Sequence, residues 1–354
     1  MSRTARIVGS ALIGLLVMSA YTPASATGSQ EVVHCRTANP DCWPVTFAFA
    51  PGSRIFYVER FTGQIRAFNR KKSRDRRWAT VGHLSTNGEQ GLLGIALDPR
   101  WRRARRFRWV YVYYTHDDPF QNRVMRLRKR HGAVERQVLT TIPAAGNHNG
   151  GVIGFGPGGK LFVLTGDASD PANAQNLGTH AGKVLRMNKN GTVPSDNPFA
   201  GSRVFSYGHR NSFGFTIDPF TRKPWQTENG PQCNDEVNVL FPGRNYGWGP
   251  SQACPNTNQD GPSPFGPAYV VDPPEALTGA AFCKGCGLTG LEGKLVFGAF
   301  NNGVIRSATL TANRVGIASV ATLYDHGSFV LGMRRSRAGR LFFSDSRFIY
   351  RLVN

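Results

Sequence analysis

Four stretches of this chain combine glycine with side chains that move protons or hold charge: residues 87–94 (NGEQGLLG), 146–151 (GNHNGG), 208–214 (GHRNSFG) and 228–236 (ENGPQCNDE). An imidazole such as His148 takes and returns a proton near neutral pH. An arginine such as Arg210 stabilises negative charge developing on a neighbouring oxygen. The carbonyls of Gly230-Pro231 and the carboxylates of Glu228, Asp235 and Glu236 are the oxygen donors that a hard cation prefers. Each group also has a structural role open to it: a histidine satisfied in a wall, an arginine pairing two elements, a plain Gly-Pro turn, carboxylates capping turns. One such stretch would say little. Four in this order require a fold that gathers distant segments.

The rest of the chain predicts such a fold. Helical periodicity is almost absent, and short alternating strands bounded by Gly, Pro and Asp recur throughout. A phrase of Gly-turn, apolar strand, polar turn and second strand repeats four times. It occurs at residues 51–58 with 63–68, 158–164 with 182–187, 292–298 with 303–306, and 338–343 with 347–352. Divergent copies centre on residues 93–99 (LGIALDP) and 213–219 (FGFTIDP). Six units at roughly fifty-residue spacing predict an all-β fold, a six-bladed β-propeller of four-stranded antiparallel sheets. A sandwich or β-helix would not need so long a period. The propeller is expected as a single domain over residues 45–354, preceded by a segment at 27–44 that carries Cys35 and Cys42. Its loops would converge at one end of a central channel.

With residues 245–248 (NYGW) and 278–282 (TGAAF), the four stretches resemble the glucose/sorbosone dehydrogenase family. The likeness runs from about Phe47 to the C-terminus and is strongest between Gly88 and Trp248. The resemblance implies a sugar dehydrogenase using pyrroloquinoline quinone (PQQ) and calcium to oxidise an anomeric hydroxyl. It implies that His148 is the base and that the paired glycines after it leave room for a flat cofactor. Arg210 and Asn211 would lie over the quinone oxygens. Gly230 and Pro231 would hold calcium through their carbonyls, and Glu89, Gln90 and Asn147 would border the cofactor. A small sugar is the implied substrate; the electron acceptor is not specified.

The last two blades depart from that pattern. Asn301 stands where the family places a lysine, and Phe329 and Leu331 stand where it places an Arg-x-Arg pair. Arg306, Arg334, Arg335 and Arg337 lie nearby in sequence. Two functions therefore stay open: a quinone- and calcium-dependent aldose dehydrogenase, and a non-catalytic propeller that binds a glycan or protein partner.

Residues 1–26 read as a secretory signal peptide. Arg3 and Arg6 precede an apolar run, and Ala24-Ser25-Ala26 supplies a small-residue cleavage pattern. The mature chain is expected outside the cytoplasm, with no transmembrane segment. Six cysteines suit that compartment, and three local bridges are the simplest pairing: Cys35/Cys42, Cys233/Cys254 and Cys283/Cys286. Cys283 and Cys286 could also be read as a redox or zinc motif, although no second ligand pair accompanies them. The net charge of +21 is concentrated at residues 70–77 and 100–106. Such runs usually form solvated faces and favour loose contact with an anionic cell-surface polymer. Export and the lack of a recognition motif argue against nucleic acid.

Overall fold

The computed structural model describes residues 27–34, 42–129 and 133–354. The expected signal peptide lies outside these residues, as does Cys35. Among them, no helix is long and apolar enough to cross a membrane.

The described strands form six four-stranded antiparallel sheets, as the repeats predicted. Blade 1 comprises Thr46–Ala50, Arg54–Val58, Gln64–Asn69 and Arg74–Thr80. Blade 2 comprises Leu92–Leu97, Val110–His116, Gln121–Lys129 and Ala133–Ile142. Blade 3 is Ile153–Phe155, Leu161–Leu164, Lys183–Met187 and Val204–Tyr207. Blade 4 is Ser212–Ile217, Pro224–Glu228, Asp235–Val239 and Tyr269–Val271. Blade 5 is Leu277–Phe282, Leu295–Ala299, Val304–Leu310 and Ile317–Asp325. Blade 6 is Met333–Arg335, Leu341–Ser344 and Phe348–Val353, and its fourth strand is Gly28–His34 from the N-terminus.

That last pairing corrects the expected boundary. Gly28–His34, which falls in the expected N-terminal segment, is a strand of this blade: Gly28 pairs with Val353 and His34 with Phe348. One blade thus joins both ends of the chain, which leaves no unpaired seam where the ring closes. The first strand of each blade touches the first strand of the next, and the sixth returns to the first.

Burial explains which strands are apolar. Val110–His116 (VYVYYTH) is buried throughout, because a second strand has a neighbouring blade on each face. The outer strand Arg74–Thr80 is largely exposed and carries much of the first basic run. The core is divided accordingly into six apolar clusters, one at each junction between blades. Phe162 of blade 3 stacks on Phe215 of blade 4, for example, with ring centroids 5.4 Å apart.

The first strands approach closely at glycine. A Cβ on Gly94 would lie 2.2 Å from Gly151 O, one on Gly214 2.4 Å from Thr278 O, and one on Gly279 2.1 Å from Met333 N. Each is a contact with the next blade's backbone. The Asp-Pro pairs ending the two divergent repeats add ionic ties. Asp98 meets Lys189 of blade 3 at 3.1 Å, and Asp218 receives Arg314 of blade 5 through two bonds of 2.8 and 3.0 Å. Burial alone would raise the Asp218 carboxyl, but Arg314 and local N–H donors hold it below the ordinary carboxylate range.

Cys233 pairs with Cys254 and Cys283 with Cys286, so the latter pair is a disulfide. Cys42 is also disulfide-bonded, whereas its expected partner Cys35 lies outside the described residues.

Candidate active site

The loop bearing His148 follows blade 2 and is pinned by its neighbour. Asn149 is buried, bonds Ala145 and Asn122 through its amide, and accepts the Tyr113 hydroxyl on its carbonyl. His148 itself has a left-handed backbone, φ 55°. The glycines after it serve packing more than cofactor access. A Cβ on Gly150 would meet Gly166 N at 2.6 Å, and one on Gly151 would meet Leu93 Cβ at 2.7 Å. Gly150 also lines the axial cavity.

The close approach sets His148 against Asp167. His148 Nδ1 lies 2.8 Å from Asp167 Oδ1, and the carboxylate is fully buried. Asp167 also accepts Ser169 N–H on Oδ1 and Trp248 Nε1–H on Oδ2, each at 2.8 Å. A carboxylate surrounded by donors is an acceptor, so the imidazole hydrogen sits on Nδ1 and the Nε2 lone pair is left free. Sequence reasoning missed Asp167, and it quoted Trp248 only as part of a phrase. The available signal for Asp167 was a Thr-Gly-Asp step directly after a fully buried strand.

Glu89 ties this loop to the next one. Its Oε2 accepts His148 N–H at 2.8 Å and Asn211 Nδ2–H at 3.0 Å. Asn211 is buried and accepts Gly150 N–H at 3.1 Å. Arg210 lies over the Trp248 ring, 5.3 Å from its centroid, and donates to Asn229 O at 3.1 Å. Its Nε is buried without a partner. Burial lowers the Arg210 pKa, with Asp167, Glu228 and Glu89 pulling the other way.

Arg210 shares a small recess with Gly230, Pro231, Glu228 and Glu236. Glu228 accepts Arg210 N–H, while Asp235 accepts Gly230 N–H at 2.9 Å and Glu275 N–H at 2.8 Å. These two carboxylates therefore cap turns. Glu236 faces Glu228 across the sheet, and burial with that neighbour pushes it up to about 8. Two predicted residues do not join the group. Gln90 is buried, and its amide is used by Ser85, Asn87 and Ala145, so it braces loops instead of bordering the cavity. Asn147 is exposed beside His148.

Next to this group, the axial end of the ring holds a cavity of about 210 Å³ to which every blade contributes. Its polar lining includes Arg60, Glu89, Asn229, Thr278 and Arg334. On the side of blades 5, 6 and 1 it is apolar, with Trp43, Phe300 and Leu331 in the wall. Phe329 stacks on Phe300 at 4.5 Å and on Trp43 at 5.9 Å. Arg306 is taken up by Glu275, and Arg335 and Arg337 are exposed, so Arg334 is the basic residue of the last two blades that lines the cavity.

Fold and site together define a six-bladed propeller with an axial site equipped for proton transfer. A match to the family described as Glucose / Sorbosone dehydrogenase covers residues 42–347. The chain belongs to that family. It is 30% identical over 246 residues to an aldose sugar dehydrogenase of Escherichia coli, covering 66% of this chain and 65% of that one. It is 29% identical over 241 residues to quinoprotein glucose dehydrogenase B of Acinetobacter calcoaceticus, covering 58% of this chain and half of that one. The PQQ-bound structure of an aldose sugar dehydrogenase from Streptomyces coelicolor superimposes with a TM-score of 0.78 at 25% identity, over 93% of this chain and 99% of that one.

The residues present fit one of the two implied groups. Gly230 and Pro231 carbonyls accept no hydrogen bond among the described residues, and Glu236 shares their recess, oxygen donors of the kind calcium prefers. PQQ carries three carboxylates, and it does not fit. Each charge-assisted bond to such a group contributes about 1.5–3 kcal/mol. Here Arg60 faces Glu89 and Arg210 faces Asp167, and Arg334 is the cavity-lining arginine with no acid beside it among the described residues.

Proposed function

We propose that this chain is an exported sugar dehydrogenase that oxidises the anomeric hydroxyl of an aldose. His148 Nε2 takes the hydroxyl proton, Asp167 holds the imidazole in the required tautomer and stabilises the imidazolium, and the anomeric hydrogen leaves with its electron pair to a two-electron acceptor. The product is the lactone. Arg210 and Asn211 would border the oxygens of that acceptor, and the Gly230 and Pro231 carbonyls would hold a calcium ion, which would supply positive charge beside them. The observation that carries this reading is the 2.8 Å contact of His148 with a buried carboxylate, which leaves Nε2 free at a partly exposed ring. The Streptomyces relative binds PQQ, whose three carboxylates match this cavity poorly.

The basic strand face of blade 1 suits loose contact with an anionic cell-surface polymer outside the cytoplasm. A second reading, a non-catalytic propeller that binds a glycan, is favoured by the apolar side of the cavity.

The test is aldose-dependent dye reduction by the purified chain with calcium and a series of quinones, PQQ among them. Activity that falls at least a hundredfold in His148→Ala supports the enzyme. Absence of turnover with every quinone, accompanied by saturable binding of oligosaccharide, supports the second reading.

A further inference from the structure

The apolar side of the axial cavity and Arg334 beside it specify a ligand unlike the family's tricarboxylate. Phe300 and Phe329 are nearly parallel, with an interplanar angle of 9°, and Trp43 continues the group at 25° to Phe329. Arg60 closes one end, lying 5.8 Å over Trp43 and 4.7 Å over Phe61 while donating to Gln90 O and Gly88 O. Trp43 and Phe300 line the cavity, with Phe329 stacked on Phe300, so this wall is aromatic and suits an aromatic ligand.

Arg334 approaches the same cavity from blade 6. It lies deep in the protein, yet keeps surface open to the channel. Its guanidinium bonds Thr46 Oγ1 at 3.2 Å and Met333 O at 3.1 Å, and reaches Phe215 O at 3.5 Å. Among the described residues it has no carboxylate partner. Arg60 and Arg210, by contrast, each have an acid nearby. The carboxylate that does line the cavity, Glu89, repels any further negative charge on the ligand. One anionic group is accommodated; a second or third would face Glu89 or the aromatic wall.

We propose that the axial cavity binds a planar aromatic ring bearing a single anionic group, the ring lying against Trp43 and Phe300 and the anion on Arg334. The inference concerns binding alone and stands whether or not the chain oxidises sugar. If it does, a singly charged quinone is the chemical class of acceptor that this cavity selects.

The experiment is calorimetric titration of the full chain, at fixed salt and calcium, with three probes: 1,4-naphthoquinone-2-sulfonate, neutral 1,4-naphthoquinone, and PQQ. The sulfonate is expected to bind at least about tenfold more tightly than PQQ. Arg334→Met weakens the sulfonate about tenfold or more and leaves the neutral quinone within about threefold. Phe300→Ala, which removes an aromatic ring from the cavity wall, weakens both ring probes. The double variant Phe329→Arg, Leu331→Arg reverses the order in favour of PQQ. PQQ binding as tightly as the sulfonate in the unaltered chain would overturn the proposal. So would equal losses of both naphthoquinones in Arg334→Met, or no binding of any probe. Loss of sugar oxidation with sulfonate binding intact would count against the dehydrogenase and leave the cavity's preference standing.

Discussion

Replacing Asp167 with asparagine keeps the shape of the side chain and gives one of its two acceptor positions a pair of hydrogens. Two orientations of the amide compete. With its oxygen towards His148 and Ser169, the NH₂ group opposes Trp248 Nε1–H, a donor that is buried and has no water to turn to. An unsatisfied buried donor costs about 1–3 kcal/mol. With its oxygen towards Trp248, the amide hydrogen faces His148 Nδ1, which accepts once its own proton has moved to Nε2. Ser169 N–H is then released, but Ser169 is exposed and regains water. The second orientation wins by roughly 1–3 kcal/mol, a population ratio of about 5 to 160. It leaves Nε2 protonated, so the base is gone. Stability should fall by only about 1 kcal/mol, measured by urea unfolding. Sugar-dependent turnover should fall on the order of 10²–10⁴, the larger figure reflecting lost stabilisation of the imidazolium. Nitrogen-15 NMR of the imidazole reads the tautomer without any turnover. An Asp167→Asn variant with Nδ1 still protonated, or with turnover within about threefold of the original, would refute the assigned dyad.

Gly214→Ala places a methyl group against Thr227 Oγ1 and Thr278 O, where the next blade's backbone cannot retreat, and should destabilise the fold by about 1–3 kcal/mol in denaturant unfolding. Asp218→Ala strands Arg314 between blades 4 and 5; because that arginine is partly exposed, a loss of about 2 kcal/mol is expected. Asp218 is depressed in the fold, so its contribution is present above the ordinary carboxylate pKa and disappears as pH falls through the lower, folded value. Asp218→Asn should flatten the acid limb of the stability profile. Glu236 has the opposite sign. Raised to about 8, it makes the calcium-free fold lose stability as pH climbs from the usual 4.5 towards 8, by at most about 1.4 kcal/mol per pH unit. Glu236→Gln should remove that slope in unfolding curves taken between those two values.

The amino-acid sequence determined the architecture because the relevant signals are local. A continuous apolar run such as residues 55–58 (IFYV) marks a strand buried on both faces, and the recurring Gly-turn phrase shows how many blades share the chain. Ring closure then follows, since each blade's apolar faces need a neighbour. His148, Arg210, Asn211 and the Gly230-Pro231 turn were legible for the same reason, as polar, glycine-rich loops between such strands. What the axial loops do to one another was not legible. Asp167 beneath His148, Trp248 holding Asp167, Gln90 turned inwards as a brace and Gly28–His34 closing blade 6 are all contacts between segments far apart in the chain. The character of the cavity was decided the same way. Phe300, Phe329 and Trp43 come from opposite ends of the sequence, and Arg334 acquires its meaning from lacking an acid there. Side-chain alternation within a strand says which face points inwards, but the loops have no such period, and their register against one another exists only once the ring has closed.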